Sequence, residues 1–166
     1  VSVSTLSHLK DNTVFSNSDF SIGVAFNPYL SSFLFEEEIS KLEKKLQSGL
    51  VKSIWIQFGS NFTLLERRID ILKKIISLSD KANSKKSNII LFGSILIPSK
   101  QLLARFKYRP WKGVYCSNEF LYSVNIADCI IKKIFTTYKK NNICPIIETG
   151  IYTDNHLDKL KNKFLE

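Results

Sequence analysis

Four short apolar segments alternate along this chain with longer segments of helical periodicity, and this alternation limits the fold more than any other feature. The apolar segments cover residues 20–26, 53–58, 88–97 and 143–148. Apolar runs of this length are typical of β-strands. Because each run is apolar on both faces, the sequence predicts a parallel sheet covered by helices.

The segments between the strands repeat apolar residues at helical spacing. In residues 34–48 the three glutamates Glu36, Glu37 and Glu38 fall in the predicted first turn, and Gly49 stands where a C-terminal cap belongs. The same spacing predicts the end of a helix at residues 5–10 and further helices at 62–82, 99–106, 119–139 and 153–164, the last capped by Thr153 or Asp154.

Two α/β architectures satisfy this pattern within one domain. A doubly wound sheet would close its own core, whereas half of a (β/α)₈ barrel would leave two strand edges and part of the interior open, since a whole barrel needs about 250 residues. The pattern of apolar residues alone does not choose between them.

Composition excludes several classes of protein. The apolar runs are too short to cross a bilayer and the N-terminus has no signal-peptide pattern, so we expect a soluble cytoplasmic chain without a membrane partner. Three cysteines without CxxC spacing, and two histidines without a second ligand nearby, predict neither a metal site nor a disulfide. Walker-type loops, glycine-rich phosphate fingerprints, G-x-S-x-G and HExxH motifs are missing.

The net charge of +9 raises the question of whether the chain binds an anionic partner. The lysines stand mostly in pairs along predicted helices, and no arginine–aromatic platform accompanies them. We therefore interpret them as solvated helix faces and expect no nucleic-acid partner. The alternative is a non-catalytic binding module for an anionic partner such as RNA.

Two polar residues stand at predicted strand ends, where parallel α/β proteins bind ligands. The amide of Gln57 offers a donor and an acceptor to a planar heterocycle, and the alternative role is a hydrogen bond to loop backbone. Glu148 could act as an acid, a base or a binding group, the alternatives being helix capping or a salt bridge. Trp55 and Trp111 are expected to serve in packing.

Glu38 and Lys45 are seven residues apart, on one edge of the apolar stripe of their predicted helix. A carboxylate there can hold ribose or ribityl hydroxyls, and a lysine can pair with a pyrophosphate. The alternative is a pair of solvated helix charges.

An ordered series of short motifs resembles the methylenetetrahydrofolate reductase family over nearly the whole chain. The first part comprises Asn27-Pro28, Glu38, Leu42 with Lys45, Ser48-Gly49 and Ile56-Gln57-Phe58. The second part is the strand ending at Pro98-Ser99. The segments Arg109-Pro110-Trp111-Lys112-Gly113-Val114 and Glu119-Phe120-Leu121 are similar to a divergent branch of reductase-related proteins.

The resemblance implies that residues 1–166 are strands 5–8 and their helices, the C-terminal half of a (β/α)₈ TIM barrel. It also implies reduction of 5,10-methylenetetrahydrofolate to 5-methyltetrahydrofolate in one-carbon metabolism, with NADH or NADPH as hydride donor, directly or through FAD. The implied folate-binding residues are Gln57, Phe58 and Glu148, and the implied cofactor-binding residues are Asn27, Glu38 and Lys45.

The same resemblance places the general acid in the absent first half, so the catalytic residues are unknown and we expect this half to be inactive by itself. Asn27 replaces an aromatic residue that the flavoenzymes carry, and Thr149-Gly150 stands where a substrate-binding arginine is expected, so the glutamate of folate would need another cation. Open barrel edges predict homo-oligomer formation.

Overall fold

The sheet contains four parallel strands in the order of the chain. In the computed structural model, which describes residues 2–10, 21–82, 88–150 and 153–164, they are β1 (Ile22–Phe26), β2 (Val51–Ile56), β3 (Ile90–Leu96) and β4 (Cys144–Glu148). β1 pairs with β2, β2 with β3 and β3 with β4. The predicted α/β class and parallel sheet are confirmed. Within the described residues the strand order never reverses, unlike that of a doubly wound sheet.

Seven helices accompany these strands in the described part of the chain. They are α1 (Val3–Lys10), α2 (Ser32–Gln47), α3 (Phe62–Ala82), α4 (Lys100–Tyr108), α5 (Asn118–Tyr122), α6 (Val124–Lys140) and α7 (Asp154–Phe164). α2 begins two residues earlier than predicted, so the expectation of glutamates in its first turn is wrong. Gly49 does follow its end, with a positive φ of 73°.

The predicted helix 119–139 is two helices, because Ser123 interrupts it. Ser123 has an extended backbone, and its hydroxyl accepts a hydrogen bond from the backbone N–H of Ile126. The apolar stripe continues across this residue, since Leu121 and Ile126 both pack against the core. Apolar spacing therefore indicated one helix where a serine cap starts a second.

Helices cover one face of the sheet. Val24, Phe26, Ile54, Ile56 and Ile95 point to that face and are at most 2% exposed. α1 contacts α2, α2 contacts α3, α3 contacts α6, and α6 packs on β3 and β4. This arrangement is what right-handed crossovers between strands in sequential order produce.

The opposite face of the sheet is open. Ala25, Trp55, Phe92 and Cys144 lie side by side across it in register. The rings of Trp55 and Phe92 are 4.7 Å apart, yet Trp55 is 47% exposed. The apolar pattern on both faces of the strands is thus real, but in the described residues only one face has a helical layer.

Gly93 allows α6 to approach β3 closely. A Cβ at Gly93 would lie 2.4 Å from the ring of Tyr138, which is fully buried. The Tyr138 hydroxyl donates to the carbonyl oxygen of Ser94 at 3.3 Å. The missing side chain therefore sets the distance between this helix and the sheet.

Candidate functional site at the strand ends

The carboxyl ends of all four strands meet at one edge of the sheet, because the strands are parallel. In α/β proteins of this kind, ligands bind outside the carboxyl ends of the strands. The predicted residues Asn27, Gln57 and Glu148 are all at this edge.

Gln57, Ser94 and Glu148 form a polar row along the edge. Ile56 pairs with Gly93, so the residues that follow them, Gln57 and Ser94, are neighbours on adjacent strands. The Ser94 hydroxyl donates to a carboxylate oxygen of Glu148. The backbone N–H of Gln57 donates to the carbonyl oxygen of Phe26 at 2.9 Å. Its side-chain amide makes no hydrogen bond within the described residues and can serve a ligand.

The row has the dimensions of a bicyclic heterocycle. Gln57 is level with Ile146 on β4, two residues before Glu148, so the backbones of Gln57 and Glu148 are about 10 Å apart across the strands and about 7 Å apart along them. A planar molecule between them could bond the amide at one end and the carboxylate at the other.

Phe58 lies behind this row, on the helix-covered side. It is 1% exposed and its ring is 5.7 Å from that of Phe120. Direct contact between Phe58 and a substrate is therefore not part of this arrangement, and the ring supports the strand end from within the core.

Asn27 and Glu38 are brought together, but they bond each other and the backbone. A Glu38 carboxylate oxygen accepts from the backbone N–H of Asn27 at 3.2 Å. The Asn27 side chain donates to the carbonyl oxygen of Gly113 at 3.0 Å and accepts from the N–H of Tyr29 at 3.0 Å. These groups hold the end of β1 in place.

Lys45 lies at the other end of α2, two residues before the helix ends and close to the start of β2. Seven residues of helix separate it from Glu38 by about 10 Å along the axis. Of the residues implied as FAD-binding, Asn27 and Glu38 lie at the carboxyl end of the strands and are occupied by internal hydrogen bonds. Lys45 lies at the amino end of the strands. The three residues do not form a fitting site for that cofactor.

Residues 109–117, which we call the crossing loop, run over the ends of β1 and β2. Gly113 has a positive φ of 86°, and the N–H of Val114 donates to the carbonyl oxygen of Trp111 at 3.1 Å. This is a tight turn of the kind that glycine permits.

Three contacts fasten the crossing loop to the sheet. The first is the Asn27–Gly113 bond at the end of β1. The second is the bond from the N–H of Ser60 to the carbonyl oxygen of Tyr115, 2.8 Å long, beyond the end of β2. In the third, the Ser60 hydroxyl accepts from the N–H of Ser117 at 2.7 Å. The loop therefore has a defined position beside the strand ends.

A cavity of about 530 Å³ opens beyond the ends of β3 and β4, and we call it the strand-end cavity. Leu96, Ile97 and Leu102 supply apolar wall, while Arg105, Trp111 and Glu148 supply a cation, an indole and a carboxylate. Glu148 was predicted from the sequence, whereas Arg105 was not, because it belongs to a short helix without a distinctive motif. The sequence signal that could have identified Arg105 was its position in the second turn of the helix that follows β3.

A second cavity, of about 500 Å³, lies between α4 and α5 and is lined by Lys100, Lys107, Tyr108 and Tyr122 among others. It is not at the strand ends. We therefore place the candidate site in the strand-end cavity and the adjoining polar row.

Three ionisable side chains, two buried tyrosines and one partly buried cysteine, interact with one another. Burial, with the neighbouring Tyr138 and Cys116, raises the pKa of Tyr29 well above its ordinary value. Burial also raises the pKa of Cys116 to about 11 and raises that of Tyr138. All three therefore stay protonated at neutral pH and contribute packing, with the Tyr29 hydroxyl lacking a hydrogen-bond partner in the described part of the protein.

In the described ranges, no cluster of three or more His, Cys, Asp or Glu side chains is suited to hold a metal ion. No helix in those ranges has both the length and the apolar character needed to cross a membrane. Comparison with protein-family models and with curated proteins gives no match to this chain.

Proposed function

We propose that this chain is the second half of a (β/α)₈ barrel of the methylenetetrahydrofolate reductase type, and that it supplies one wall of a folate site. The observation that carries the proposal is the sequential order of four parallel strands, which among the described residues have helices on one face only. A closed barrel consists of such units, with the other face turned inward.

The residues on the open face support an interior position. Ala25, Trp55, Phe92 and Cys144 are paired in register on the face that would be turned inward in a barrel. Trp55 and Phe92 are large apolar groups of the kind that a barrel interior buries. Four further strands would cover them and would pair with the free edges of β1 and β4.

The chemistry proposed is reduction of the methylene bridge of 5,10-methylenetetrahydrofolate. A hydride from NADH or NADPH forms a C–H bond at the bridging carbon, the bond from that carbon to N10 breaks, and N10 takes up a proton. The part of this half is to orient the pterin, through the Gln57 amide and the Glu148 carboxylate, for that transfer. No step is assigned to FAD, because Asn27, Glu38 and Lys45 do not form a set that would hold it.

Binding of 5-methyltetrahydrofolate, the product, tests the proposal on the 166-residue chain. Isothermal titration should detect binding, and Gln57→Ala should weaken it about tenfold through loss of pterin hydrogen bonds. Glu119→Gln, an exposed change in α5, is the control. The proposal fails if the Gln57 variant binds like the parent, and equally if the chain alone oxidises NADH at the rate of a complete enzyme.

The anionic-partner alternative predicts a different result in the same preparation. The chain would then shift single-stranded RNA in a mobility assay in a salt-dependent way, while 5-methyltetrahydrofolate would give no heat of binding.

A further inference from the structure

Arg105 and Trp111 present a cation and an aromatic surface to the same cavity. The Arg105 side chain is exposed and makes no ion pair within the described residues. Trp111 is 40% exposed, and its ring is 4.8 Å from that of Phe106, which is buried. The indole is thus held by a core residue while one side of it remains accessible.

The crossing loop fixes where this indole stands. The turn at Gly113 and the bond from the Asn27 side chain to its carbonyl oxygen tie the segment next to Trp111 to the end of β1. The accessible indole is therefore positioned by backbone contacts that do not involve the cavity. A ligand would bind an indole whose position is already fixed, which lowers the entropic cost of binding.

The cavity contains one cation and one carboxylate, which together orient a charged ligand. Arg105 offers a fork of N–H donors that matches a carboxylate. Glu148 lines the same cavity and already accepts a hydrogen bond from Ser94, so its negative charge repels a ligand carboxylate from that side and leaves Arg105 as its partner. Leu96, Ile97 and Leu102 line the same cavity and provide apolar wall for a ring.

We propose that the strand-end cavity binds a ligand that joins an aromatic ring to a carboxylate, with the carboxylate on Arg105 and the ring against Trp111. If the proposed function is right, on which the following identification rests, the ligand is the aminobenzoyl-glutamate part of folate. Arg105 would then be the cation that Thr149-Gly150, in the wall of the same cavity, does not provide.

The two tryptophans allow a direct measurement. Trp55→Phe keeps an aromatic ring against Phe92 and leaves Trp111 as the chain's single tryptophan. In this background we titrate 4-aminobenzoyl-L-glutamate and follow indole emission. We expect saturable quenching, and we expect Arg105→Ala to raise the Kd about tenfold or more, the effect of losing a charge-assisted pair. Arg105→Lys should fall between the two, since it keeps the charge but not the fork.

Matched controls isolate the site. Arg67→Ala removes an exposed arginine of α3 outside the cavity and should leave the Kd unchanged. Neutral 4-aminobenzamide should bind at least about tenfold more weakly than the glutamate compound to the same Trp55→Phe protein. This comparison needs no change at Arg105, so it holds even where the Arg105→Ala protein loses its far-UV circular dichroism.

Equal affinity for the neutral and the anionic compound overturns the proposal, as does an unchanged Kd in both folded Arg105 variants. Quenching that depends on Arg105 upholds it, including in a chain whose affinity for 5-methyltetrahydrofolate is insensitive to Gln57→Ala. That last combination would reject the pterin site and retain the aromatic-carboxylate site, so the two failures are distinguishable.

Discussion

Arg68 is a buried cation that ties α3 to the segment after β1. It is 8% exposed, donates to the carbonyl oxygens of Pro28 at 2.5 Å and Leu30 at 2.7 Å, and lies 3.8 Å from the ring centre of Phe35. Burial lowers the pKa of this guanidinium. Two carbonyl groups near the candidate site therefore depend on one side chain.

We expect Arg68→Met to lower the free energy of unfolding by about 2–4 kcal/mol, because both carbonyl oxygens would lose a charged donor. Urea denaturation followed by circular dichroism measures this difference. Arg67→Met, at an exposed neighbouring position, should change it by less than about 0.5 kcal/mol. Similar losses from the two substitutions would contradict the structural role given to Arg68.

The cysteines should differ in reactivity. Cys129 and Cys144 are exposed, whereas Cys116 is partly buried and its pKa is raised from 9.0 to about 11. The raised pKa lowers the thiolate fraction of Cys116 about 100-fold at pH 8. With Ellman's reagent at pH 8 we expect two fast thiols and one slow thiol. Cys116→Ser should remove the slow phase, and a slow phase that persists would refute the assignment.

The sequence predicted the positions of those candidate residues that lie at strand ends. Gln57 and Glu148 stand at the carboxyl edge, as the sequence indicated. Arg68 was not recognised, because apolar spacing does not select a charged residue within the buried stripe of α3. The Asn27 side chain bonds a loop 86 residues further along the chain, which local pattern does not reveal.

At the scale of elements, Ser123 separates α5 from α6 by capping the second helix. Ser123→Ala should cost about 1 kcal/mol in unfolding free energy, because the N–H of Ile126 would lose its acceptor. Thermal denaturation of the variant gives this value. Ser40→Ala, an exposed position within α2, serves as the comparison and should be neutral or slightly stabilising. A larger loss at Ser40 would mean that capping is not the cause.

Nine of the elements, four strands and five helices, were expected within a few residues of their bounds, since apolar periodicity and caps are local signals. The predicted helix 62–82 matches α3 at both ends. The crossing loop was only a turn-rich segment in the sequence. Its position follows from Gly113, Asn27 and Ser60 acting together, which no single stretch of residues encodes.

At the scale of the whole molecule, alternation of strands and helices predicted a parallel sheet but left its strand order open. In the part of the chain that the structure describes, the strand order is sequential and one face of the sheet is uncovered. Strand order depends on the face of the sheet on which each connecting helix lies. A strand that is apolar on both faces does not indicate which face that is. The closed barrel remains a proposal that rests on this order.

Taken by itself, the 166-residue chain should self-associate. The edges of β1 and β4 are free within the described residues, and a two-fold rotation would let β4 of one copy pair with β1 of a second in the parallel sense. Sedimentation velocity should show dimers that increase with concentration. Trp55→Lys places a charge on the open face and should leave monomers, with Lys52→Ala as an exposed control. A monomer at all concentrations would contradict the expectation.

Every strand pairs with its nearest strand in the sequence, so most of the sheet can form without closing a long loop. β2 and β3 each have a neighbour on both sides, whereas β1 and β4 have one. Amide hydrogen exchange should therefore be slowest along β2 and β3 and faster at the two outer strands. A second copy or a first half-barrel that paired with those edges would slow exchange in β1 and β4 and leave β2 and β3 unchanged.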